Sequence, residues 1–215
     1  MNTGIFWFEL AAFALSLVAL PKIWKRSYLR IYPFLLLIIV LVEGYYQFIP
    51  QKKYHNAEVY NIQIPLQYLC YLAILYFAAA ARGFKIFLLG SMAAVIIFSI
   101  TTNIYFTPKG YSNVLSYSFC SIIAIVGIVW KFYEMLKNPL EFNFLRNPFF
   151  YMLFAFLIFN LGTLPYFSMT NWLYNTHEYR NIYFLLVKVM SVLNYILYTT
   201  YSIAFIWILQ KKVSY

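Results

Sequence analysis

Hydrophobic residues fall in seven long stretches separated by short polar breaks: 4–20, 31–49, 62–81, 85–105, 112–133, 148–168 and 182–209. Each approaches the ~20 apolar residues that a helix needs to cross a bilayer. The pattern predicts an all-α polytopic membrane protein, a seven-transmembrane-helix bundle forming a single domain over 1–215. The break "ARGFK" between the third and fourth stretches is so short that those two spans form an antiparallel hairpin. No internal repeat of the kind found in inverted-repeat transporters stands out. The opening "MNTGIFWFELAAFALSLVAL" lacks a basic n-region and a small-residue cleavage site, so it reads as a first span.

Polar residues inside the spans are few and unevenly placed. The segment "LIIVLVEGYYQFIP" (37–50) sets Glu43 within the second span. A charge at the centre of a helix in a bilayer costs about 2.5 kcal/mol or more on insertion scales. Gln63 and Gln67 lie one turn apart on one face of the third span. Asn160 sits near the middle of the sixth, and Asn194 lies in the seventh. Lys188, Ser191, Tyr195 and Tyr198 share one stripe of the seventh. Glu9, a turn or so inside the first span, is expected to snorkel to the headgroups.

Composition supports the lipid setting. The chain is 64% hydrophobic and 10% charged, against roughly 45–50% and about 25% in soluble domains. Its net charge of +10 raises nucleic acid as a partner, but the basic residues sit in short clusters flanking apolar stretches, as at membrane boundaries. Eleven Lys and Arg follow the odd-numbered spans, four follow the even-numbered ones, and Lys188 lies within a span. The positive-inside rule then predicts a cytoplasmic (inner) membrane protein with its N-terminus outside and C-terminus in the cytoplasm.

That orientation gives depth. Glu43 stands about 18 Å above the start of its span, in the outer half. Gln67, Asn160, Lys188 and Asn194 fall at the middle or in the outer half, while inner segments such as "FLLLIIV" and "SIAFIWIL" carry almost nothing ionisable. The asymmetry predicts a ligand-binding pocket open to the outside, lined by Glu43, Gln67, Asn160, Lys188 and Asn194, with Glu43 as its anchor. A simple channel would need polar groups at every depth. Intramembrane Asn, Gln and Ser also join helices, so Glu43 either closes such a structural cluster, pairing with Lys188, or serves a ligand.

Other chemistries lack residues. All six acidic residues are Glu, which removes Asp dyads and Asp–Mg²⁺ sites. His55 and His177 both lie in loops, so no buried zinc site is expected. Lys188 is too near a span end for a Schiff-base lysine, and no Gly-rich phosphate loop exists. No catalytic residue, metal or cofactor is predicted. Cys70 and Cys120 read as small buried hydrophobes. The linker "KNPLEFNFLRNP" (137–148) is amphipathic and is expected on the cytoplasmic interface.

Two stretches, "LRNPFFYMLFAFLIFNLGTLPYF" (145–167) and "VLNYILYTTYSIAFIW" (192–207), combine with Glu43 and "VYNIQIPLQYL" (59–69) into a wider pattern. Together they resemble small seven-span membrane proteins common in Bacteroidetes, whose genes often lie near sensor histidine kinases. Where the family pattern carries an acidic residue in span three, this chain has Gln67. The resemblance implies a sensory or signalling accessory role with a membrane partner such as a histidine kinase. The combined expectation is a receptor-like protein that binds a small amphipathic or lipid-like ligand. A proton-coupled small-solute transporter, a lipid-modifying enzyme and a structural subunit of a membrane complex are the alternatives.

Overall fold

The computed structural model describes residues 3–48, 56–137, 146–175 and 179–210. His55, His177 and the linker stretch 138–145 fall outside them. The described residues form seven helices: α1 (Thr3–Ile23), α2 (Ile31–Phe48), α3 (Asn56–Ala78), α4 (Arg82–Tyr105), α5 (Val114–Lys137), α6 (Pro148–Asn175) and α7 (Arg180–Gln210). Each contains a segment long and apolar enough to cross a membrane. The chain is thus a multi-pass membrane protein, with seven such helices among the described residues. Two boundaries differ most from expectation. α3 begins at Asn56 rather than 62, and α6 runs past 168 to Asn175. Polar first and last turns hide such extensions from hydropathy.

Six helices close a ring, α1–α2–α3–α5–α6–α7 and back to α1. α4 sits outside it against α3 and α5. The sequence of α4 explains this place. Phe84, Leu88, Ser91, Val95, Ser99 and Thr102 form one buried stripe, flanked by the half-buried Phe87, Met92 and Phe98, and the opposite face is exposed. α3 is the opposite case, with buried residues on several faces from Asn61 to Leu75. Apolar contact alone does not drive helices together in lipid, so close packing and polar bonds must. At Gly162 of α6 an added Cβ would lie 2.5 Å from Leu193 Cδ1 of α7, which shows how tightly these two helices meet.

Polar side chains secure the turns. Asn147 caps α6, its Oδ1 accepting from the Phe149 N–H at 3.1 Å, and Pro148 starts the helix where no N–H is needed. The α3–α4 turn is held from α5. Lys131 Nζ donates to the Ala78 carbonyl at 2.8 Å, at the negative end of α3. Glu134 accepts from the N–H groups of Ala80 and Ala81 at 3.2 and 2.9 Å, at the positive end of α4. One Lys–Glu pair, 3.4 Å apart, thereby serves two helix termini. Between α4 and α5, Gly110 adopts φ 82° in a turn closed by Tyr111 N–H to the Pro108 carbonyl at 3.1 Å. Glycine suits that left-handed position.

The core is dense where the C-terminal end of α7 meets α2 and α3. Tyr32, Leu35, Leu36, Leu72, Tyr201 and Phe205 are all buried there. Toward the opposite end, which carries the N-terminus, α7 changes character. Between Asn181 and Ile196 none of its residues is buried.

Candidate functional site

Two polar systems occupy the N-terminal end of the bundle, and they differ in kind. The first is a closed knot joining α3, α4 and α5. Asn61 Oδ1 accepts from the Asn113 N–H at 2.8 Å and from the Tyr117 hydroxyl at 2.6 Å, while its Nδ2 donates to the Tyr111 carbonyl at 3.0 Å. Asn113 caps α5 through Ser116 N–H at 3.1 Å and donates to Thr102 Oγ1 at 2.9 Å. Ser99 and Ser116 hydroxyls meet at 2.6 Å. These groups satisfy one another, as buried polar groups in a membrane must.

The second system is a cavity of about 1340 Å³ enclosed by α1, α2, α3, α5, α6 and α7. On α7 its wall runs from Tyr183 to Tyr198, about 22 Å along the helix axis. Its floor is aromatic. Tyr71 stacks on Phe156 with ring centroids 3.5 Å apart, and its hydroxyl meets that of Tyr201 at 3.0 Å. Tyr68 donates to Asn160 Oδ1 at 2.7 Å. Below lie Tyr32 and Phe205, both fully buried.

Glu43, Gln67, Lys188 and Asn194 all line this cavity. Asn160 stands behind the wall. Its Oδ1 accepts from Tyr68 and, at 2.9 Å, from Ser121, and its Nδ2 returns to the Phe156 carbonyl at 2.7 Å. Its polar atoms thus bond α3, α5 and α6 together, and the cavity is lined by Tyr68 in front of it. Glu43 accepts from the Tyr60 hydroxyl at 3.0 Å. Lys188 is exposed, and no ion pair joins it to Glu43 among the described residues. Asn194 bonds only its own helix, Nδ2 to the Met190 carbonyl at 3.0 Å, as Ser191 does to Val187.

The cavity also contains residues that the sequence reading did not place in it. Glu9, expected to snorkel, is instead 4% exposed, lines the cavity, and leaves Oε2 without a hydrogen-bond partner. The Tyr198 hydroxyl and Glu43 are its electrostatic neighbours. The reason is helical register. Phe6, Glu9, Ala12, Ser16, Ala19 and Ile23 form one buried stripe on α1, so Glu9 points into the ring. The small residues Ala12, Ser16 and Ala19 were the available signal, since such residues mark a helix–helix face. Gln63, 3% exposed, likewise faces the cavity with Oε1 unpartnered. Among the described residues no three His, Cys, Asp or Glu side chains gather as a metal site.

No protein-family model matches the chain, and neither curated proteins nor solved structures show a significant match to it.

Proposed function

We propose that this chain is a receptor-like protein of the cytoplasmic membrane that binds a small amphipathic or lipid-like ligand. The carrying observation is the 1340 Å³ cavity, apolar over most of its wall yet edged by Glu9, Glu43, Gln67 and Lys188. Such a mixture of apolar wall and few polar groups is what ligand sites need. The Lys and Arg distribution favours an outer N-terminus, and with it an outward-facing cavity. The half of α7 from Asn181 to Ile196, none of whose residues is buried, gives an amphiphile a lateral path from the bilayer. The ligand signal would pass to a membrane partner, such as the sensor histidine kinases near which the resembling Bacteroidetes genes lie.

Proton-coupled transport is the second reading, favoured by the two carboxyl groups in one cavity. The aromatic floor beneath them counts against it, because Tyr71, Phe156, Tyr32 and Phe205 pack across the way to the other end. Native mass spectrometry of the chain extracted gently from its own membrane tests the first reading. A retained small amphiphile, lost on Glu43→Gln or on filling the cavity with Gln67→Trp, is the expected result. Uptake into proteoliposomes driven by a pH gradient would replace it with the transporter.

A further inference from the structure

Two buried side chains on the cavity wall each leave an oxygen without a hydrogen-bond partner, and both oxygens accept. Glu9 is buried with Oε2 unpartnered, and Gln63 is buried with Oε1 unpartnered. Glu43 is the third acceptor group, and it receives the Tyr60 hydroxyl. The Tyr198 hydroxyl lies beside Glu9, while two further tyrosines of the cavity are directed elsewhere. Tyr68 donates to Asn160, and Tyr71 is engaged with Tyr201. Among the described residues no Lys or Arg forms an ion pair with Glu9 or Glu43. Lys188 lies ten residues from Tyr198, the neighbour of Glu9, which is about 15 Å along α7. Buried acceptors without donors are costly in a medium that excludes water.

The rings around these acceptors add the same preference. Phe6 of α1, Tyr60, Tyr68 and Tyr71 of α3, and Tyr198 of α7 line the cavity together with the carboxyl groups of α1 and α2. Aromatic faces attract cations, more strongly where water is absent. Carboxylates, amide oxygens and aromatic faces together form a receptor for a protonated amine. The upper wall sets Val187, Met190 and Val192 beside Lys188 and Ser191, and its apolar side chains fit the rest of an amphiphile.

We infer that the cavity binds an organic ammonium ion, its N–H groups donated to Glu9, Glu43 and Gln63 and its apolar body directed up α7. This rests on the ligand-binding reading above and specifies its chemistry. The full chain in nanodiscs of zwitterionic lipid, titrated with hexylammonium, hexanol and hexanoate at neutral pH, tests it by calorimetry. Saturable one-site binding of hexylammonium, at least tenfold tighter than hexanol and with no hexanoate binding, is expected. Glu9→Gln and Glu43→Gln should each weaken the amine at least tenfold, and weaken hexanol far less. The ligand comparison on the unaltered chain stands even if a variant fails to fold. Equal binding of hexanol and hexylammonium, or tighter hexanoate, overturns the ammonium inference and keeps the ligand cavity. Heat from Ca²⁺ or Na⁺ alone, with no amine effect, assigns the carboxyl groups to an inorganic ion and also overturns it. Binding of none of the three amphiphiles overturns both readings.

Discussion

Two intramembrane asparagines that look alike in sequence should differ sharply when replaced. Asn160→Ala removes three hydrogen bonds: from Tyr68 at 2.7 Å, from Ser121 at 2.9 Å, and to the Phe156 carbonyl at 2.7 Å. Two of them join separate helices, α3 and α5, to α6. Inter-helical hydrogen bonds in membrane proteins are worth about 0.6 kcal/mol on average, and a buried donor left unpaired adds about 1–3 kcal/mol. Ser121 can turn to a carbonyl one turn back in α5, as Ser191 does in α7, so its share is small. Tyr68 is buried and has no such recourse. The sum is about 2–3 kcal/mol. Asn194→Ala removes only a bond to its own helix, at 3.0 Å, and should cost less than about 0.5 kcal/mol. Steric-trapping unfolding in bicelles measures both. Equal losses for the two variants, or a neutral Asn160→Ala, would refute the separation of structural from cavity-lining polar groups.

Further outcomes follow from the helix contacts. Lys131→Met and Glu134→Gln should each destabilise, and the double variant should lose about 1 kcal/mol less than their sum, because they share the α3–α4 clamp; a double-mutant cycle reads this directly. Gly162→Ala places a Cβ against Leu193 and should cost about 1–3 kcal/mol. Gly90→Ala meets nothing within 4 Å and should be neutral or gain up to about 1 kcal/mol from helix propensity; thermal unfolding of both variants checks the contrast. Cys70 and Cys120 are free and buried, so a water-soluble maleimide should leave the native chain unmodified and label both thiols in SDS. Rapid labelling of the native protein would contradict the packing of α3 and α5.

Seven helices were legible because hydropathy is a long, redundant signal, and lipid demands it of every span. The polar asymmetry was legible for the same reason: Glu43, Gln67, Lys188 and Asn194 stand out against apolar surroundings and do share one cavity. What the sequence could not give was which polar residue faces which neighbour. Asn160 and Asn194 have the same chemistry, and only the ring arrangement sets one behind Tyr68 and the other on the wall. Glu9 was misread because depth was judged without register; its place on the stripe with Ala12 and Ser16 turns it inward. The Lys131–Glu134 clamp looked like an ordinary basic flank, since its partners are backbone groups of other helices.

An experimental density map of the chain, purified from its own membrane and bound to an antibody fragment, tests the ligand cavity most directly. The account predicts non-protein density inside the helix ring, touching Glu43 and Glu9 and extending up α7. A collapsed ring with Glu43 closed onto Lys188 and no space between them would contradict it.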